Sequence, residues 1–337
     1  MTVLVTGAAG FLGSHVIDVL LARGERPRAL VRPGDRVSLP TGSGIVICRA
    51  DIGDRAAVAA AMEGVDRVLH CAARTGPWGP PQAYQQTNVR ALETLVLAAL
   101  AAGVTRIVHV SSITVHGNDV RGAADEDAPL REEPNPYSRS KVAGERLLER
   151  MIAREGAPVT IVRPGWIYGP RDTASFARFA RMVEQGRMIT IGSGKNHLPL
   201  IYVRDAAEGI LLASEAGAAE GRCYLLVNDE PVTQRDFIAA IAAGLGAPAP
   251  ARRIPYQPAV MLGAVAEGVG RLTRRSQPPP VMRYGVRLLG GENRFSIDRA
   301  RHELGFSPRI AMAEGVRRSI EWYRAASRAP DAAKVAA

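Results

Sequence analysis

Thr6-Gly7-Ala8-Ala9-Gly10-Phe11-Leu12-Gly13 follows the apolar run Val3-Leu4-Val5 and leads into Phe11–Arg23, where apolar residues recur at helical spacing. Gly7, Gly10 and Gly13 sit between a strand and a helix. In that context they permit a tight turn and close approach of backbone to phosphate, while the helix N-terminus attracts its charge. Working outward, strands are expected at Val3–Thr6, Arg28–Arg32, Ile45–Ala50, Arg67–Cys71, Arg106–Ser111 and Val159–Arg163. Helices are expected at Ala56–Met62, Tyr84–Ala102 and Tyr137–Arg154. Strict alternation predicts an α/β fold, a doubly wound parallel sheet of Rossmann type, with the glycine turn at its carboxyl edge.

After Arg163-Pro164 the pattern loosens. Helical stretches at Ser175–Gln185 and Val203–Ser214 mix with a short strand near Tyr224–Val227, and prolines cluster at Pro248–Pro258 and Pro278–Pro280. We expect a dinucleotide-binding domain over 1–165, a smaller substrate lobe over 166–325 with strands returning to the first domain, and a disordered tail over 326–337. Ile254–Leu272 carries an apolar face with Met261, Leu262, Val265 and Val269. Such a face could line a pocket or lie on a membrane surface, but core packing is its commonest use.

The chain has 337 residues and a net charge of +10 from 43 basic and 33 acidic residues. Only Lys141, Lys195 and Lys334 are lysines, and the arginines are scattered, so a nucleic-acid partner is not expected. No run of about 18 apolar residues suggests a spanning helix. The first strand belongs to the glycine motif, so no leader is expected and the cytoplasm is the expected compartment. Cys48, Cys71 and Cys223 lack paired or metal-ligand spacing, and no metal site is expected.

At the end of the second strand an acid would favour NAD and an arginine NADP. The chain has Arg32 there, with Arg36 beyond it, so NADP is favoured and NAD is the alternative. A solvated surface arginine is the plainer account of Arg32. Asp51, after the third strand, is placed either to bond an adenine amino group or to cap the next helix. Tyr137 and Lys141 lie one helical turn apart. A nearby ammonium would lower the tyrosine pKa from its usual ~10, and Ser112 could hold a substrate oxygen beside it. Alone, this pair reads more simply as an ordinary helix-surface pair.

In combination, the glycine turn, Asp51-Ile52, His70-Cys71-Ala72-Ala73, Asn88, Ser111-Ser112, Tyr137 to Lys141 and Arg163-Pro164-Gly165-Trp166-Ile167-Tyr168-Gly169-Pro170 resemble the extended short-chain dehydrogenase/reductases. The resemblance covers about residues 1–325. It implies Tyr137 as acid/base, Lys141 as the cation that lowers its pKa and positions the nicotinamide ribose, Ser112 as the carbonyl-orienting serine, and Asn88 as a further catalytic residue. Cofactor contacts then fall to Gly7, Ala9, Gly10, Phe11, Leu12, Gly13, Arg32, Arg36, Asp51, Ile52, Cys71, Ala72, Ala73, Ser111, Tyr137, Lys141, Pro164 and Ile167. The Gly-Thr that customarily follows the asparagine is replaced by Ala91-Leu92, and a tyrosine of the serine motif by His116.

Within that family, Thr75-Gly76-Pro77-Trp78-Gly79, Gly192-Ser193-Gly194-Lys195-Asn196, Asn228-Asp229-Glu230-Pro231 and the segment from Pro280 through Leu304-Gly305-Phe306 to Trp322-Tyr323 resemble the 3β-hydroxysteroid and sterol-4-carboxylate 3-dehydrogenase branch. The arginine with which sugar-nucleotide enzymes meet a diphosphate is missing before Val203-Arg204-Asp205. The resemblance therefore implies oxidoreduction of a secondary alcohol or ketone on a hydrophobic substrate, a steroid, sterol or 3-oxo acid. Thr75, Trp78, Ser112, His116, Tyr168, Lys195 and Asn196 are substrate candidates, and Lys195, Asn196 or His197 could meet a carboxylate. A sugar-nucleotide 4-epimerase or reductase and a non-catalytic NAD(P) sensor are the alternatives. The resemblance also implies a homodimer formed through helices 84–102 and 137–154.

Overall fold

The computed structural model describes residues 1–35, 44–120 and 122–328. β1 (Val3–Thr6), α1 (Phe11–Ala22), β2 (Arg28–Val31), β3 (Val46–Arg49), α2 (Arg55–Ala61) and β4 (Arg67–His70) open the chain. A continuous helical run follows: α3 (Pro81–Gln85), a π turn (Gln86–Arg90) and α4 (Ala91–Ala101). β5 (Arg106–Val110), a 3-10 turn (Ile113–His116), β6 (Ala123–Ala124), α5 (Pro136–Glu155) and β7 (Val159–Pro164) complete the first half. Beyond lie β8 (Trp166–Tyr168), α6 (Phe176–Glu184), β9 (Thr190–Ile191), β10 (Leu200–Tyr202), α7 (Val203–Glu215) and β11 (Cys223–Leu226). The chain finishes with α8 (Gln234–Leu245), β12 (Arg253–Ile254), α9 (Tyr256–Leu272), α10 (Arg283–Gly290), β13 (Arg294–Phe295), α11 (Asp298–Leu304) and α12 (Met312–Arg328).

The seven-stranded sheet has the order β11-β7-β5-β4-β1-β2-β3 and every pairing is parallel. β1, β4 and β7 are buried along their whole length, as strands covered by helices on both faces must be. Winding reverses between β1 and β4, so a crevice opens at their carboxyl ends. Register places Thr6 beside His70 and His70 beside His109 at that edge. A second core gathers Tyr168, Phe176, Leu200, Tyr202, Phe237, Val316 and Tyr323 in the smaller lobe.

One local expectation is met and three change. The short strand expected near Tyr224–Val227 is β11, which returns to the first domain as the edge strand of the main sheet against β7. Its Tyr224, Leu225 and Leu226 are wholly buried against residues of α7 and α11. The helix expected from Tyr84 begins earlier, at Pro81, where proline suits the first helical turn. α12 runs to Arg328, into the stretch expected as tail; residues 329–337 lie outside the described ones. The apolar stripe of α9 does not pack into the core. Ala259, Gly263, Glu267 and Gly270 face inward instead, while Met261, Leu262, Val265 and Val269 are exposed. No helix among the described residues is long and apolar enough to cross a membrane.

Candidate active site

The glycine turn is shaped by close approach. Gly7 has φ +66°, and a Cβ there would lie 2.8 Å from the backbone of Ala72; one on Gly13 would lie 2.2 Å from the Gly7 carbonyl oxygen. Gly10, the N-cap of α1, offers no side chain to the first turn, and no acid stands in that turn. The positive end of α1 is therefore kept for an outside anion, and these residues fit a dinucleotide pyrophosphate. Ala9 and Leu12 pack on the sheet core, and the Phe11 ring meets His15 edge-on. Across the crevice the Ala72 N–H donates to Thr6 Oγ1 (3.2 Å), which is also bonded to His70 Nδ1 (2.7 Å), so the ends of β1 and β4 are tied together. Burial pushes the neighbouring Cys71 thiol up to about 12, so it stays neutral. Ala73 continues this partly buried wall.

At the adenosine end, Arg32 follows β2 and is largely exposed. Its guanidinium forks onto Asp35, with Nη2 2.8 Å and Nε 3.1 Å from Oδ1. Arg36 lies outside the described residues. Asp51 accepts the Gly53 N–H at 2.8 Å and is not the cap of the next helix. Asp54 takes that place, accepting from Ala56 and Ala57, because it immediately precedes α2. Ile52 packs beside the second sheet face. Pro164 ends β7, buried, and Ile167 in β8 packs on the sheet core.

α5 is started by Asn135, which accepts the Ser138 N–H, and by Pro136 at its first position. This start carries Tyr137 and Lys141 to the carboxyl end of β5. Lys141 is buried, and its Nζ donates to the Val110 carbonyl at 2.7 Å. Burial pushes its ammonium down to about 8, opposed by the Glu145 carboxylate one turn on. Burial also raises the Tyr137 phenol above its ordinary value, and a hydrogen bond with Ser112 opposes that rise. The lowered tyrosine pKa expected from Lys141 is not found: burial raises the phenol, and the Lys141 ammonium donates to the Val110 carbonyl. Ser112 Oγ also accepts the Thr114 N–H, capping the 3-10 turn.

Three expected site residues face inward instead. Ser111 donates to Glu145 inside the core, because successive residues leaving a strand point to opposite sides. Glu145 is in turn gripped by the buried Arg163, with Nη2 2.6 Å from Oε2 and Nε 3.0 Å from Oε1. His116 joins this network through Arg163 Nη1 (3.1 Å) and does not reach the crevice; burial and Arg163 push it down to about 4. Asn88 lies in the π turn with its amide fully engaged. Its Oδ1 accepts the Arg74 N–H (2.7 Å), and Nδ2 donates to the Arg74 carbonyl (2.9 Å) and to Ser140 Oγ (2.8 Å). It braces the loop after β4 against α5.

Of the substrate candidates, Thr75 is exposed on that loop. Trp78 donates from Nε1 to the Arg275 carbonyl (3.0 Å) and packs over Gly270, joining the loop to α9. Tyr168 is a core residue, 1% exposed and ringed by Phe176, Tyr202 and Phe237. Asn196 is consumed as a tether, donating to the Leu289 and Gly291 carbonyls and accepting from Gln234. His197 is paired with Glu292 at 2.7 Å, leaving exposed Lys195 as the one of the three whose charge faces outward.

Two tyrosines that no motif marks complete the surroundings. Tyr84 is buried, its hydroxyl 2.7 Å from the Gly76 carbonyl and 2.9 Å from that of Trp78, with Arg74 stacked on its ring. Tyr284 on α10 stands near Tyr137 and Thr114. Arg287 on the same helix reaches Glu133 at 2.9 Å. The places of Tyr284 and Arg287 depend on α10 coming near the start of α5, which no local pattern announces.

A doubly wound sheet with this phosphate turn and a Ser-Tyr-Lys cluster at its carboxyl edge defines a dinucleotide-dependent oxidoreductase. The chain belongs to the NAD dependent epimerase/dehydratase family, whose model matches residues 3–226. It is 32% identical over 328 residues to the 2-alkyl-3-oxoalkanoate reductase of Stenotrophomonas maltophilia (strain K279a), covering 94% of this chain and 98% of that one. To the 3 beta-hydroxysteroid dehydrogenase/Delta 5→4-isomerase of Mycobacterium tuberculosis (strain H37Rv) it is 30% identical over 338 residues, covering 95% and 90%. The crystal structure of gox2253 matches with a TM-score of 0.83 at 32% identity, covering 97% of this chain and 99% of that one. A UDP-glucuronic acid 4-epimerase from Bacillus cereus in complex with NAD shares the fold, with a TM-score of 0.77 at 23% identity over 96% and 99%. The protein is an NAD(P)-dependent oxidoreductase of the extended short-chain type.

Proposed function

We propose that the protein interconverts a secondary alcohol and a ketone on a hydrophobic substrate of the 3-oxo acid or steroid type, with NADP(H) favoured over NAD(H). The observation that carries this reading is Tyr137, close to Ser112 and one helical turn from buried Lys141, at the carboxyl edge beside the glycine turn. When bound, the nicotinamide supplies or accepts the hydride. In reduction, the protonated Tyr137 hydroxyl gives its proton to the carbonyl oxygen while Ser112 holds that oxygen. A raised phenol pKa keeps that proton in place at neutral pH. Once the tyrosinate forms, the Lys141 ammonium one helical turn away would offset its charge. Oxidation runs the same transfers backwards and needs the tyrosinate first, so it should gain from rising pH. The substrate class is supported by the reductase and steroid relatives and by the absence of an arginine between Gly192 and Val203.

Tyr137→Phe should lower turnover of a 3-oxo acid by at least the ~10²-fold typical of acid–base groups, with cofactor binding retained. Wild-type turnover in that variant would end this mechanism. For the cofactor, Arg32→Asp should weaken NADPH more than NADH in a binding titration, and an unchanged ratio would remove Arg32 from the site. The shared fold keeps a sugar-nucleotide 4-epimerase as the second reading. Tight binding of a UDP-sugar, with no turnover of apolar ketones, would favour it.

A further inference from the structure

The outer face of α9 is the most apolar exposed surface among the described residues. Met261 is 68% exposed, Val265 64% and Leu272 85%, with Leu262 at 50% and Val269 at 55%. These residues lie at helical spacing along one side, opposite the inward set Ala259, Gly263, Glu267 and Gly270. Isolated exposed apolar residues need no explanation, but five on one helix face do.

The chain around this helix is strongly basic, with Arg283 and Arg287 paired to Glu267 and Glu133. Between residues 237 and 291 the chain carries seven arginines (252, 253, 271, 274, 275, 283 and 287) and a single acid, Glu267. That acid is buried on the inner side of α9, where it accepts the Arg283 N–H at 2.7 Å and pairs with the Arg283 guanidinium at 2.7 Å. Arg271, Arg274 and Arg275 are exposed at the carboxyl end of the helix beside Leu272, and Arg252 and Arg253 are exposed just before its start. An apolar helix face with basic residues at both ends complements an anionic lipid surface, whose headgroups attract the arginines while its acyl boundary receives the apolar side chains. A second copy of this chain is a poor occupant. The molecule carries +10 overall, and self-pairing would bring two basic faces together.

We propose that the protein docks reversibly on anionic lipid bilayers through the outer face of α9. The proposal goes beyond the reaction proposed above and does not depend on it. Its inner side gives it a consequence, however. Trp78 packs on Gly270, and α10, held to α9 by Arg283 and Glu267, brings Tyr284 beside Tyr137. The docked face is thus the outer wall of the helix pair over the reaction site, and a lipid-dissolved substrate would enter next to it.

The test is sedimentation of the full chain with phosphatidylcholine vesicles and with phosphatidylcholine–phosphatidylglycerol vesicles, at low and high salt. Binding is expected to the mixed vesicles only and to weaken with salt. Val265→Asp with Val269→Asp should abolish it. Arg274→Gln with Arg275→Gln should weaken it roughly 30-fold, about a fivefold loss for each removed cation. Thermal midpoint and NADPH binding should stay unchanged in both variants, since these side chains touch neither core nor crevice. The proposal is overturned by failure to bind mixed vesicles at low salt, by equal, salt-insensitive binding to both vesicles, or by undiminished binding of the Val265/Val269 variant. A lipid-free dimer that this variant dissolves would overturn it too, by assigning the face to a second copy.

Discussion

Lys141 is a cation held against its own solvation. Burial pushes it down to about 8 from 10.5, and only Glu145 and Cys71 oppose the fall. Between about pH 8 and 10.5 the unfolded chain binds the proton and the folded one does not, so this group adds stability as pH rises through that window. For catalysis the sign is opposite, because the reductive reaction loses the ammonium as pH passes about 8. Glu145→Gln should therefore move the alkaline limb of the reductive pH–rate profile to lower pH, whereas a purely structural role would scale the rate equally at every pH. The same substitution leaves buried Arg163 without its carboxylate and should cost about 3–5 kcal/mol in chemical denaturation. Arg32 is the contrasting residue. It is exposed and paired with Asp35, so exchanging it should alter cofactor preference with little effect on stability.

α5 is the element on which the site depends. It carries Tyr137, Lys141 and Glu145 on successive turns, with Ser140 meeting Asn88 from the neighbouring helical run. The π turn at Gln86–Arg90 puts Asn88 where it can brace the Arg74 backbone, in keeping with the use of π turns at functional sites. The small residue that lets these helices close is Gly144 on α5; the alanine and leucine at 91–92, where the family customarily has Gly-Thr, are both buried. A Cβ on Gly144 would stand 3.2 Å from the Asn88 carbonyl oxygen and 3.5 Å from Leu92. Gly144→Val should destabilise by about 1–3 kcal/mol through overpacking. It should also lower turnover by shifting Tyr137 relative to Ser112. A calorimetric scan with parallel kinetics would check this, and an unchanged melting midpoint would refute the close-packing account.

At the scale of the whole molecule, the two lobes are not separable pieces of chain. β11 and α7 come after the first second-lobe elements yet complete the main sheet and its core, where Ile210, Leu211, Tyr224 and Leu225 pack with Val16, Ile17 and Val162. α11 and Phe306 return to the same core from still later in the chain. A fragment ending at residue 165 would expose β7 as an edge and strip one sheet face. We expect it to show no cooperative thermal transition and to bind a hydrophobic dye as a loosely packed state does. A sharp, two-state melt of that fragment would contradict this picture.

Local pattern was enough for the alternating first half, the glycine turn, and the placement of Tyr137, Lys141 and Ser112. Each of these depends on spacing along one strand or one helix, which the chain carries within a few residues. The direction of a side chain at a strand end was not legible. Ser111 and Ser112 are neighbours in sequence, yet one enters the core with Glu145 and the other meets Tyr137. Nor could composition tell that His116, Tyr168 and Asn196 are satisfied by internal partners, or that Tyr284 comes to the site. The sequence by itself determined the sheet, the glycine turn and the spacing of Tyr137 and Lys141. Only the tertiary structure decided that burial would raise Tyr137, that β11 would close the main sheet, and that the apolar stripe of α9 would face outward. The physical reason is that pKa, burial and facing depend on which distant segments pack together, and one-dimensional periodicity does not encode that.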